Sequence, residues 1–240
     1  MKYSCPICKN KFNEFLPLDP YFSQNKEKYG NPYNYHDIET LNVENYQCPF
    51  CYASDRDRLY AIYLTNYLKR FRKRDISLLD IAPTKPLQKF IKQFSNIKYI
   101  SIDKFNDNVD IKIDISNMKC FESEVFDFFI CSHVLEHIDD DIKALSELYR
   151  VLKKRGKGIL MVPINLAIRK IEEDPSITDI GERWRRFGQG DHVRMYSKEG
   201  FISRILDSGF SVRQYREKDY YFKFRKYGIT KSSVLYIVSK

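Results

Sequence analysis

Ser77-Leu78-Leu79-Asp80-Ile81-Ala82-Pro83-Thr84-Lys85-Pro86-Leu87 is followed by a helix-like run and then by Lys98-Tyr99-Ile100-Ser101-Ile102-Asp103. An apolar run, a sharp loop, an amphipathic segment and a second apolar run closing on a carboxylate spell a βαβ unit. In such units a ligand lies across the carboxyl ends of the strands, and the second acidic residue holds ribose hydroxyls. Asp80 and Asp103 are therefore expected at one rim of a sheet, bordering a nucleoside-binding crevice.

The rhythm continues downstream. Strand-like runs recur at 109–113, 126–132 and 158–162, with helical runs at 86–94 and 139–154. Asp139-Asp140-Asp141 suit a helix start, Lys153-Lys154-Arg155 a helix end, and Gly156 the stop. Strands alternating with helices imply an α/β fold, a parallel sheet covered on both faces. Asp114 is a third carboxylate at a strand end. With Asp80 and Asp103 it suits a nucleoside-bearing cofactor, the three fixing the amino group or loop, the ribose and the adenine edge. Each alone also reads as a loop cap. The fourth strand runs into Cys131-Ser132-His133-Val134-Leu135-Glu136-His137-Ile138, a turn where such folds place the reacting centre. His133 is a candidate for ligand contact and proton transfer, because imidazole titrates in the useful range. Glu136 and His137 read as structural, capping the turn and pairing with the adjacent helix.

Upstream, Cys5-Pro6-Ile7-Cys8 and Cys48-Pro49-Phe50-Cys51 are two Cys-x-x-Cys knuckles. Two residues between thiolates let both sulfurs reach one ion, and four thiolates close a structural zinc site with no open position. Cys5, Cys8, Cys48 and Cys51 thus define a small zinc-binding module over residues 1–54. The aromatic residues between the pairs, Tyr21, Phe22, Tyr33 and Tyr35 among them, suggest a loop that packs on something. Cys120 and Cys131 read as small buried side chains. A helix over 55–72, capped by Ser54 or Asp55, opens the second domain, residues 55–240. Arg56 and Arg58 stand in its first turn, where cations are unfavourable against the helix dipole. They meet a substrate or ligand anion there, or pair with Asp55 or Asp57.

Downstream, residues 165–196 break the βα rhythm. An insertion after the fifth strand lies over the carboxyl rim and reads as a lid. Asp191, His192 and Arg194 fall within four residues beside Trp184, the only tryptophan. They read as an acid/base or anion-binding set, His192 being the second candidate base, or as a rigid lid anchor. Ser197 caps a helix to residue 206, and 210–215 and 233–238 are closing strands joined by the basic, aromatic stretch 220–227.

The chain has 240 residues, 43% hydrophobic and 30% charged, which suits a globular fold and excludes a disordered one. No apolar run approaches the roughly 20 residues a membrane helix needs. The first residues lack the apolar core of a signal peptide, so a cytoplasmic location is expected. The net charge is +9, with residues 213–240 holding eight Lys or Arg against two acids and a second cluster at 69–74. Such a face attracts nucleic acid, anionic lipid or phosphorylated substrates, or is a solvated surface.

Asp80-Ile81-Ala82-Pro83, Ile102-Asp103, Asp114-Ile115 and the stretch Phe126 to Ile138 resemble the successive motifs of class I S-adenosylmethionine-dependent methyltransferases. With the two Cys-Pro-x-Cys knuckles, the Arg-bearing helix and the 188–196 stretch, the resemblance is to a bacterial subgroup that carries an N-terminal zinc module. It implies a Rossmann-like sheet, mostly parallel, whose last strand is antiparallel. It implies S-adenosylmethionine as cofactor, held by Asp80, Ile81, Ala82, Pro83, Asp103, Lys104, Asp114, Ile115, Ser132 and His133. The first loop lacks the family's glycines. S-adenosylmethionine carries no phosphate to cradle, and the same absence argues against a dinucleotide, which needs G-x-G-x-x-G. The implied activity is methyl transfer to an oxygen or nitrogen of a small-molecule or glycan-like acceptor. An RNA methyltransferase using the zinc module and basic surface, or an inactive cofactor-binding partner protein, are the alternatives.

Overall fold

A computed structural model describes residues 1–71, 73–220 and 224–240. Parts of the basic stretches 69–74 and 220–227, namely Arg72 and residues 221–223, therefore lie outside the described residues.

The chain opens with a two-stranded hairpin, β1 (Tyr3–Ser4) and β2 (Lys11–Phe12), followed by helix α1 (Pro20–Lys28). Each knuckle turns alike. The residue after its second cysteine, Lys9 or Tyr52, takes positive φ and donates its amide to the carbonyl of the first cysteine. Helix α2 (Asp55–Lys69) starts at a capping box: Ser54 Oγ accepts the Asp57 amide, and Asp57 Oδ2 accepts the Ser54 amide. Strand β3 (Ile76–Ile81) leads to α3 (Lys85–Ile91), whose preceding Thr84 donates to Asp57 Oδ1 at 2.9 Å. That bond docks the start of α2 against the loop after β3.

Strands β4 (Ile97–Asp103), β5 (Ile111–Lys112) and β6 (Phe126–Ser132), helix α4 (Asp141–Val151) and strand β7 (Leu152–Met161) complete the parallel half. The insertion contributes β8 (Glu172–Glu173), α5 (Ile180–Phe187) and β9 (Arg194–Met195), and α6 (Lys198–Asp207), β10 (Ser211–Tyr215) and β11 (Leu235–Ser239) close the chain. The seven strands run in the order β10-β11-β7-β6-β3-β4-β5. β11 is antiparallel to both neighbours and every other adjacent pair is parallel, the Rossmann-like methyltransferase arrangement expected. No helix among the described residues is long and apolar enough to cross a membrane.

Two expectations need correction. Lys153-Lys154-Arg155 do not end a helix: α4 stops at Val151 and β7 begins at once. Pairing passes from Phe126–Leu152 to Phe128–Lys157 across a bulge in which Arg155 takes positive φ, and Lys153 turns to Asp127 at 2.8 Å. Here pairing along β6 outweighs the helix-end charge pattern. Beyond the bulge Gly158 is obligatory, since a Cβ there would meet the Phe129 ring at 2.3 Å. Second, Cys120 is exposed, although Cys131 is buried as expected.

Candidate active site

The carboxyl ends of β3, β4, β5 and β6 enclose a cleft of about 450 Å³, lined by Ile81, Ala82, Asp103, Lys104, Ile115 and His133 among others. Asp103 ends β4, and its Oδ1 accepts the amides of Phe105 and Asn106. Oδ2 of Asp103 has no hydrogen bond among the described residues. Lys104 pairs at 2.8 Å with Asp114, which also caps the next turn through the Ser116 amide and hydroxyl. Ala82 and His133, the first residues beyond β3 and β6, both take left-handed φ, +51° and +56°. Glycine is what such a position favours, so the glycine-free loop makes the tight turn with an alanine.

The other candidates for this cleft stand behind its lining. Asp80 is buried within β3 and accepts the Tyr99 hydroxyl at 2.8 Å; burial pushes its carboxyl up to about 7. Ser132 bonds the Tyr60 hydroxyl at 2.7 Å. Neither these two nor Pro83 and Asp114 line the cleft.

A second, smaller cavity of about 260 Å³ adjoins the first, and His133 and His137 line both. Its walls come from the segment between the cysteine pairs (Phe22, Tyr33, Tyr35 and Tyr46) and from the insertion (Phe187 and His192). The two walls are tied together. Asn31 Nδ2 donates to the carbonyls of Trp184 and Arg185, and Tyr29 stacks on Trp184. The aromatic loop thus packs on the expected lid.

On the cavity floor Arg56 Nη1 lies 2.5 Å from His133 Nε2, and Arg56 Nη2 donates to the Tyr46 hydroxyl at 3.1 Å. His133 Nδ1 faces Glu136 Oε1 at 3.2 Å. Burial and then the Arg56 charge push His133 down to about 4. Burial likewise holds His192 down to about 4. Both imidazoles are therefore neutral near pH 7. Burial opposes ionisation of Glu136, but the surrounding histidines outweigh it and hold the carboxyl down to about 2.

Two arginines expected at a substrate are instead internal clamps. Arg58 is fully buried, donates to the carbonyls of Asn45, Tyr46, Ala53, Tyr227 and Gly228, and stacks 4.1 Å over Phe15. Arg194 is buried, bonded to the carbonyls of Leu135, Ile138 and Asp139 and to Glu173 at 3.0 Å. Arg58 spends all five of its N–H donors within the chain and the buried Arg194 four of its five, so neither is set to meet a ligand. Asp191 does line the cofactor-side cleft, 3.4 Å from His137 Nδ1. Glu136 and His137, read from sequence as turn supports, also line the second cavity. The signal that marks them is the His-x-x-Glu-His spacing on a turn that leaves a strand end.

Residues 64–160 match the family described as a methyltransferase domain. A search of curated proteins finds no significant match. Among solved structures the chain is similar to a SAM-dependent methyltransferase from Archaeoglobus fulgidus, with a TM-score of 0.50 and 16% identity over 78% of this chain and 95% of that one. It is also similar to one from Aquifex aeolicus (TM-score 0.45, 15% identity, 76% of this chain and 90% of that one). A third likeness is Haemonchus contortus phosphoethanolamine N-methyltransferase 2 in complex with S-adenosyl-L-methionine (TM-score 0.44, 17% identity, 64% and 38%). The solved structures share the fold, and the domain match over residues 64–160 supports S-adenosylmethionine-dependent methyl transfer as the activity.

Proposed function

We propose that this protein methylates an oxygen or nitrogen of a small-molecule or glycan-like acceptor seated in the second cavity. The observation that carries this reading is the meeting of two cavities at His133 and His137, one at the strand ends and one walled by the N-terminal segment and the insertion. The residues suit S-adenosylmethionine: Asp103 keeps Oδ2 for ribose hydroxyls, Ile115 offers an apolar wall, and the Ala82 turn brings backbone close to the cleft. When bound, that cofactor supplies an electrophilic methyl group and leaves as S-adenosylhomocysteine. The chain's own contribution is proximity and alignment of two bound partners, which carry most of the barrier lowering in such displacements. Of the two candidate bases, His133 has both nitrogens engaged. His192 uses only Nδ1, on the Phe187 carbonyl at 3.2 Å, so its Nε2 is the better proton acceptor.

An RNA acceptor fits less well. Arg74, Lys153 and Arg155 gather around the amino-terminal ends of β3 and β7. At 3.3 Å per residue that end lies about 17 Å along β3 from the cleft. We also assign the four-cysteine cluster to a structural zinc ion. Sγ atoms of Cys5 and Cys51, and of Cys8 and Cys48, stand 3.7 Å apart. A tetrahedron with Zn–S bonds of about 2.3 Å has edges of about 3.8 Å. Metal analysis of chelator-free protein is expected to give one zinc per chain, and none would refute the assignment. Four free thiols fit the reducing cytoplasm.

The acceptor reading is tested by following S-adenosylhomocysteine release with a panel of sugars, amines and RNA. Turnover with a small hydroxylated or aminated compound supports it. Turnover with RNA alone supports the nucleic-acid reading, and none with any acceptor, despite cofactor binding, supports an inactive binding protein.

A further inference from the structure

Glu136 is fully buried; Oε1 faces His133 Nδ1 at 3.2 Å, and Oε2 has no hydrogen-bond partner among the described residues. An ionised carboxylate in that state is costly unless something of opposite charge meets it. Its neighbours are imidazoles. His137 Nε2 lies 3.9 Å from Glu136 Oε1, and the His192 ring stands edge-on to His137 with centroids 4.8 Å apart. One donor atom from each of Glu136, His137 and His192 lies within 4.8 Å of the other two.

The outer contacts point the same way. His137 Nδ1 faces the Asp191 carbonyl at 3.3 Å and its carboxylate at 3.4 Å, and His192 Nδ1 faces the Phe187 carbonyl at 3.2 Å. A proton on each Nδ1, given to an oxygen, leaves Nε2 as a lone pair, the arrangement by which proteins orient metal-binding histidines. The two halves of the set are also held together: the Val193 amide donates to the Glu136 carbonyl at 2.9 Å, and Arg194 binds the carbonyls of Leu135 and Ile138.

We propose that Glu136, His137 and His192 bind a first-row divalent transition-metal ion, with the remaining coordination positions open to the second cavity. Two imidazoles with one carboxylate favour such an ion over calcium or magnesium, which prefer all-oxygen sets. Bonds of about 2.0–2.1 Å to imidazole and carboxylate put donors about 3 Å apart, so the widest pair, now within 4.8 Å, must close by up to about 2 Å on binding. The site is separate in chemistry from the four cysteines, and it does not depend on which acceptor fills the cavity. On metal binding His192 passes from proton acceptor to ligand, and the ion supplies the positive charge that Glu136 faces.

Cobalt titration of the full chain, with zinc on the cysteines, tests this. The expected result is one Co²⁺ per chain, giving weak d–d absorption without thiolate charge-transfer bands. Glu136→Gln and His192→Gln should each weaken it by about tenfold or more. Cofactor titration and cooperative melting confirm that the variants are folded, and His137→Gln replaces either one that is not. No cobalt uptake, uptake showing only thiolate bands, or uptake unchanged in two folded variants would overturn the proposal.

Discussion

Ala82 and His133 leave their strands in the left-handed conformation, which costs an L residue roughly 1–2 kcal/mol. Both line the cleft at the strand ends, where strain of this kind is commonly held. Replacing Ala82 with glycine removes that penalty and adds some unfolded-state freedom, so Ala82→Gly should raise stability by up to about 1 kcal/mol. The β-branched substitution Ala82→Val should lower it, both read by denaturant unfolding. The buried histidines make a second prediction. His133 and His192, pushed to about 4, titrate far below the usual imidazole range. Between about pH 6.5 and 4 the unfolded chain binds more protons at these two residues than the folded one. Their contribution to stability is therefore fully present above about pH 6.5 and lost as pH falls from there through 4. Nitrogen-detected imidazole NMR should show both rings neutral at pH 5.5, and an imidazolium signal from either at that pH would contradict the burial argument. Residue roles were only partly legible in the sequence. Asp103 announces itself by ending an apolar run, whereas Glu136 is defined in part by a histidine, His192, that the fold brings from far along the chain.

At the scale of elements, Arg58 joins three parts of the chain: the second knuckle, α2 and the carbonyls at 227–228. Removing the guanidinium takes a donor from five carbonyls, of which those of Ala53 and Gly228 keep another from the Cys48 amide and Asn42 Nδ2, so Arg58→Met should cost about 3–5 kcal/mol in unfolding free energy, more than loss of a surface ion pair. A loss under about 1 kcal/mol would mean that the clamp is dispensable. A first-turn arginine needs a counterpart against the helix dipole, and Arg58 finds it in backbone carbonyls distant along the chain. Strands were easier to read. The run Phe126 to Cys131 is buried throughout because β6 is central, so its apolar character survived intact. The start of β7 was illegible because Lys153 and Lys154 look like a helix end and owe their place to pairing across a bulge.

For the whole molecule, one sheet edge decides the architecture and one rim decides the chemistry. The βαβ pattern made the parallel sheet legible, and β11 fits between β7 and β10 as the family resemblance implies. What sequence could not show was the second cavity, because its walls come from residues 22–46 and 187–195, which are tied together through Asn31, Tyr29 and Trp184. The central claim is that the cleft at the ends of β3, β4 and β6 holds S-adenosylmethionine with Asp103 on the ribose. Its most direct test is calorimetric titration of that cofactor into the wild-type chain and Asp103→Ala, with melting curves to show both folded. The account predicts binding of one equivalent by the wild type and a loss of about tenfold or more in the variant, as expected for a charge-assisted hydrogen bond. Absence of binding to the wild type, or equal affinity in the two proteins, would contradict it.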